Sequence, residues 1–362
     1  MGDLVDRPVS FDYGYNMTCP ACPAVTALTS EEYHRQDNEA RVACAHCGSD
    51  IHFGPAVMTL RDPDDLALDD HRLSAVAWYH TSTQDNWPST AHAMPAVAME
   101  FMSRVMSPDA ARRVRDRQED QALHLGTYET AIESMLRRMS DQDDGGSQFY
   151  LYRVALRRTD LVIEPGWRDE NHAEAAQITQ TALGDLDGVR YLNVYESPGS
   201  ISLAVRTSAI AWVQRISLPA SPLDVTIPPD LLAEIGLLRG RRRDIDQLDA
   251  SRPPELDPLA QLSRNIAARR GPSFTQSPTP QQSAMSERID QLIEDACLPG
   301  VSLPVRSRFT DALQHWRAAQ KSTEHDDYIH RFAAMAAALT HPSEVHQLLD
   351  HCPRRTVTPT PA

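Results

Sequence analysis

Between residues 72 and 235 the apolar positions fall into short runs, broken by polar, Gly- and Pro-containing segments. LSAVAWY (73–79), QFYLYRVAL (148–156), VRYLNVY (189–195), SISLAV (200–205) and AWVQRISL (211–218) are rich in branched and aromatic residues and predict strands. One stretch changes period. Ala131, Ile132, Met135, Leu136 and Met139 share a face at helical spacing, which predicts a helix over 127–139 with Thr127 as its N-cap. Residues 239–284 lose both periods. RGRRR (239–243) opens a stretch dominated by Pro, Ser and Gln, read as a disordered linker with a transient helix at 256–270. Helical spacing returns over 286–351, in stripes through Ile289, Leu292, Ile293 and Ala296, through Phe309, Leu313 and Trp316, and through Tyr328, Phe332, Met335, Ala336 and Leu339. These predict a small helical bundle, a candidate surface for docking proteins.

The pattern as a whole predicts an α+β protein in four parts: a cysteine-bearing module (1–60), a main domain (72–235), a disordered linker (239–284) and a helical bundle (286–351). A formal net charge of -15 argues against generic nucleic-acid binding, which runs on phosphate contacts. No run of about 18 apolar residues occurs, so no membrane span is expected. The start, MGDLVDRPVSFDYGYN, lacks a basic region followed by an apolar one, and a cytoplasmic location is expected.

Four of the six cysteines form two tight pairs, Cys19-x2-Cys22 and Cys44-x2-Cys47. Each pair can turn two sulfurs toward one ion, and two such knuckles make the closed tetrahedral thiolate set that suits structural zinc. The plain alternative is free or redox-active thiols. The module is similar to a zinc ribbon. Its few basic residues (His34, Arg35, Arg41) are offset by Glu31, Glu32, Asp37 and Glu39, which favours bracing or protein docking over phosphate binding. Cys297 and Cys352 fall outside the pattern and are expected to be ordinary packing or surface residues.

Three stretches of the main domain carry candidate chemistry. AVAWYHTSTQDNWP (75–88) puts His80 at a strand end, where it serves either as a ligand to something bound or as a hydrogen-bonded structural histidine. ALHLGTYETAIESMLRRM (122–139) runs strand, Gly126, Thr127, helix, so free helix amides could hold an anion beside His124. In RYLNVYESPGSISLAV (190–205), Ser197-Pro198-Gly199-Ser200 fits a type II turn. Alternation places Glu196 with Arg190, Leu192 and Val194, unless a bulge moves it to the side of Asn193. A solvated hairpin carboxylate is the bland alternative.

The order strand-YHTS, strand-HLGT-helix, FYLYRVAL, then DGVRYLNVYE-PGSISLAV resembles the ADP-ribosyltransferase superfamily over about residues 72–218, nearest to diverged bacterial and phage polyvalent or toxin members. The resemblance implies a split, mixed β-sheet that holds NAD+ in a cleft. It implies that His80 fixes a ribose and the nicotinamide amide, and that Glu196 stabilises the oxocarbenium-like transition state, with His124 beside them. Tyr79, Thr81, Gly126, Thr127, Tyr128 and Asn193 would line the NAD+ site. Tyr128 is the nearest candidate for stacking on nicotinamide, although His124, Thr127 and Tyr128 depart from the family's usual middle motif.

The function expected from this is an NAD+-dependent ADP-ribosyltransferase or NAD+ glycohydrolase acting on a protein or RNA target. Two other readings stand beside it. One is an RNA-processing enzyme, 2'-phosphotransferase-like or a nuclease, using His80 and His124 with Arg137, Arg138, Arg153, Arg157 and Arg158 as a basic cleft. The other is an inactive domain that serves as a zinc-ribbon adaptor. RGRRR and the acidic run at 62–70 read as solvated charge and loop. Trp87 follows the His80 loop and is a candidate cleft wall.

Overall fold

The computed structural model describes residues 4–36, 39–88, 104–141, 144–170, 177–223, 225–251, 280–320 and 325–358. These divide into two compact units, one built from 1–224 with 300–362 and the other from 225–299.

The first unit opens with two small antiparallel hairpins, β1 (Tyr15–Thr18) with β2 (Val25–Leu28) and β3 (Arg41–Ala43) with β4 (Asp50–His52), separated by α1 (Ser30–Gln36). A stack of Tyr15 on Tyr33 on Phe53, with ring centroids 3.8 and 4.7 Å apart, ties the hairpins to α1. Met17, Cys19, Cys44 and Ile51 form the core of this module.

The main part holds two four-stranded sheets. One has the order β6 (Leu123–Leu125), β10 (Ile201–Val205), β9 (Gly188–Leu192), β8 (Arg168–Asp169). The other has the order β12 (Arg355–Thr356), β11 (Ile210–Leu218), β7 (Phe149–Leu156), β5 (Trp78–Ser82). All pairings are antiparallel except β8 with β9. A single bridge, Tyr79 to Gly126, joins β5 to the end of β6 through two hydrogen bonds of 2.9 and 3.0 Å. The sheets therefore part at that point, each with its own ladder. Their apolar faces share one core that includes Trp78, Leu125, Tyr152, Val154, Leu192, Ile201 and Val213.

The strand predictions hold in outline. The run 73–79 differs: residues 73–75 make a 3-10 turn and the strand begins at Trp78. The predicted helix is α3 (Tyr128–Asp141), capped by Thr127, whose hydroxyl accepts from the Thr130 N–H at 3.1 Å; it follows α2 (Pro108–Glu119) in the chain. The Ser-Pro-Gly turn also forms as predicted, with Gly199 at φ 82° and the Ser200 N–H bonded to the Ser197 carbonyl at 3.1 Å.

The C-terminal prediction needs correction. Residues 286–351 are not one bundle. Helices α6 (Leu303–Ala319), α7 (His325–Thr340) and α8 (Pro342–His351), with β12 after them, belong to the first unit. α6 lies along α3, and a Cβ on Gly145 would sit 3.1 Å from the α6 backbone at His315 and Trp316. The stripes through Ile289, Phe309 and Phe332 do mark buried faces, but the period could not say what each face would meet.

The second unit pairs α4 (Pro229–Ser251) with α5 (Pro280–Cys297). The expected linker is thus helical over 239–251. Leu231, Ile235, Leu238, Arg239, Arg242 and Ile245 are the less exposed positions of α4 over 229–245, and Arg242 donates to Ser286 at 2.7 Å. Residues 252–279, including the whole of the transient helix proposed at 256–270, lie outside the described residues. No helix among the described residues is long and apolar enough to cross a membrane.

Candidate metal centre and cleft

The tips of the two N-terminal hairpins bring Cys19, Cys22, Cys44 and Cys47 together, all four sulfurs within 4.8 Å of one another. Cys19 lies 3.7 Å from Cys47, and Cys22 lies 3.6 Å from Cys44. A tetrahedron of thiolates at the usual Zn–S distance has edges of about 3.8 Å. Gly48, at φ 74°, lets the second knuckle close, with its N–H bonded to the Cys44 carbonyl at 2.9 Å. The His46 N–H points at the Cys44 sulfur at 3.4 Å. The set fits a metal ion, and with four protein ligands it fits a structural one.

Where the two sheets part, a cleft of about 340 Å³ opens, within the range of small-molecule sites. His80, His124 and Glu196 all line it, although they come from β5, β6 and the β9–β10 connection. His80 Nδ1 donates to the His124 carbonyl at 2.9 Å, so its neutral ring carries the lone pair on Nε2. Behind His80 the Trp87 ring stacks at 4.3 Å. Trp87 is buried and backs the histidine; it does not wall the cleft. His124 Nδ1 lies 3.0 Å from the Tyr191 hydroxyl.

Glu196 reaches the cleft because regular pairing ends at Leu192. Past Asn193, whose N–H still donates to the Ser200 carbonyl at 2.9 Å, residues 194–197 leave the ladder, and Ser197 takes φ 45°. Glu196 thereby joins Tyr191 and Asn193, the alternative that strict alternation disfavours, while Arg190 faces away to meet Asp70 and the carbonyl of Ala67. The Glu196 carboxylate is 4% exposed and paired with Arg137.

A second carboxylate escaped the sequence reading. Glu170, just after β8, lines the same cleft and accepts from the Val194 N–H at 2.7 Å and the Tyr195 N–H at 3.3 Å. Burial, and then the charge of Glu196, push its carboxyl up to about 7. The same two influences, burial and the nearby carboxylates, raise the Tyr191 phenol well above its ordinary value. Asn193 is fully buried. Its Nδ2 donates to Ser200 and Ser202 at 2.8 Å each and to Thr130 at 3.3 Å, and among the described residues its Oδ1 has no partner.

The remaining expected NAD+-lining residues divide. Gly126 lines the cleft, and a Cβ there would come within 2.7 Å of Thr130 and 2.9 Å of the Ser202 hydroxyl. Thr81 lines it too, but its hydroxyl is spent on the Ala131 carbonyl at 2.8 Å. Tyr79 contributes at the bridge, while its own hydroxyl bonds to Asp6. Tyr128 is not a stacking residue. It is buried against Phe11, Tyr79 and His346, and its hydroxyl donates to the Ala338 carbonyl at 2.7 Å. Thr127 opens instead on a separate groove that Asp6, Asp62, Asp64, Asp65 and Glu129 line together with Arg7 and Arg61. The expected anion site at the start of α3 therefore lies off the cleft, in a groove where carboxylates outnumber arginines.

Of the five arginines considered for a basic cleft, Arg137 and Arg138 line it. Arg153 is buried between Asp6 and Asp350, and Arg157 pairs with Asp187. In comparisons with known proteins, no family model, no curated protein and no solved structure matches this chain.

Proposed function

We propose that the cleft binds NAD+ and breaks its nicotinamide–ribose bond, as an ADP-ribosyltransferase or NAD+ glycohydrolase, and that the four cysteines hold a structural zinc ion. The observation that carries the reading is the meeting of His80, His124 and Glu196, from three separated strand ends, in one cleft where the sheet splits. Heterolysis of a glycosidic C–N bond leaves positive charge on the sugar, while the base departs with the electron pair. A carboxylate fixed in a nearly dry site stabilises that charge strongly, and Glu196 is such a group. Arg137 pairs with it and holds it in place. Glu170, titrating near neutrality, suits the remaining task of accepting the proton from an attacking water or acceptor side chain. His80 and the buried amide of Asn193 offer polar contacts to a ribose or carboxamide.

The test is release of nicotinamide from NAD+ by the purified chain. Glu196→Gln, which keeps the shape and removes the charge, is expected to lower the rate by at least about a hundredfold. NAD+ that stays intact, with and without candidate acceptors, overturns the proposal. RNA cleavage that persists in Glu196→Gln would instead assign the cleft to RNA chemistry.

A further inference from the structure

The metal module and the cleft are joined by one short segment. β1 runs directly into the first ligand, Cys19, and its Asn16 grips residues 59–61. The Thr59 N–H donates to the Asn16 carbonyl at 3.0 Å, and Asn16 Nδ2 donates to the Leu60 carbonyl at 3.1 Å. The far side of the same segment holds the Ser-Pro-Gly turn. The Arg61 N–H donates to the Gly199 carbonyl at 2.8 Å, and its guanidinium donates to the Ser197 hydroxyl at 3.1 Å and the Pro198 carbonyl at 3.3 Å. Contact is close enough that a Cβ on Gly199 would fall 2.8 Å from the Thr59 carbonyl oxygen. The Arg61 guanidinium also lies 4.4 Å from the centre of the Tyr13 ring, whose hydroxyl donates at 2.7 Å to Glu133, the acceptor of the Ser197 N–H.

We infer that the four-cysteine module is a brace for the turn after Glu196, and that Arg61 is the positioning residue through which metal binding sets that carboxylate. Two residues separate Cys19 from Asn16, and Ser197 directly follows Glu196. Closing the knuckles fixes β1, β1 fixes 59–61, and 59–61 fixes the turn. The module then has an internal task that requires neither nucleic acid nor a docked protein. The inference borrows from the proposed activity only the importance of Glu196; the coupling itself exists without substrate.

Hydrogen exchange on the full chain tests it with no substrate present. In the zinc-loaded protein the amides of Ser197 and Gly199 should be protected. Chelation should speed their exchange by about tenfold, the effect of losing roughly one strong hydrogen bond, while amides of β7 keep their rates. Arg61→Ala should loosen the same two amides with zinc still bound at one equivalent, and Arg61→Lys should restore part of the protection. Unchanged exchange at the turn after chelation, with the Gly48 amide deprotected, overturns the inference. So does an Arg61→Ala variant whose turn is as protected as the parent's; this second result decides the matter if chelation unfolds the whole chain. Because the readout is exchange, failure to release nicotinamide defeats the catalytic proposal and leaves this result standing.

Discussion

Glu170 carries a carboxyl that burial holds protonated up to about pH 7, against an ordinary value of 4.5. Below 4.5 folded and unfolded chains both bind that proton, and above 7 neither does. Stability is therefore lost as pH rises through the window between them, because the folded chain must then bear a buried charge. Glu170→Gln keeps an oxygen for the Val194 and Tyr195 amides and removes the titration. It should gain up to about 3 kcal/mol over the parent at pH 8 and differ little at pH 4.5. Urea denaturation at the two pH values checks this, and an equal difference at both would refute the assignment. If Glu170 also acts as base, the rate of nicotinamide release should rise across the same window. Nothing in PGWRDENH (165–172) announces this group, since a polar loop has no period from which to infer burial. Glu196 was legible because a strand and a turn flank it. Its side of the strand was not, because that depends on where the ladder ends.

Elements were easier to read than their partners. The stripe through Phe309 and Leu313 is buried as expected, yet α6 covers α3 and so becomes part of the main domain. The contact includes an ion pair that sequence spacing cannot reveal. Glu133 on α3 is fully buried; burial raises its carboxyl above the ordinary range, and Arg308 on α6 opposes that. Removing one member of such a pair strands the other in a dry site. Arg308→Met should cost about 3–5 kcal/mol. Adding Glu133→Gln should recover a substantial part of that, since the uncompensated charge is then gone. Thermal or urea unfolding of the single and double variants measures the recovery, and strictly additive losses would contradict a coupled pair. The helix over 239–251 is hidden in the sequence for a related reason. Two of the six less exposed positions of α4, Arg239 and Arg242, are arginines, which break an apolar period without breaking the helix.

At the scale of the molecule, the first unit is discontinuous in sequence, with residues 300–362 completing what 1–224 begin. Ending the chain at residue 299 should therefore leave the buried faces of α3 and β11 uncovered. Loss of a cooperative thermal transition, with dye-detected apolar surface, is the expected outcome; a truncated chain that melts sharply like the parent would show that 1–224 folds alone. Composition and period gave the α+β class, the cysteine module and most strands. They could not give this closure, because pairing across some 140 residues leaves no local mark.

The pairing of β12 with β11 has a consequence for synthesis. Trp212 and Val213 must wait for Thr356 and Arg355, which leave the ribosome more than 140 residues later. At about 5–20 residues per second, that delay lasts roughly 7–28 s. Throughout it the nascent polypeptide presents an unpaired strand edge, the kind of surface that chaperones occupy and that seeds aggregation when they do not.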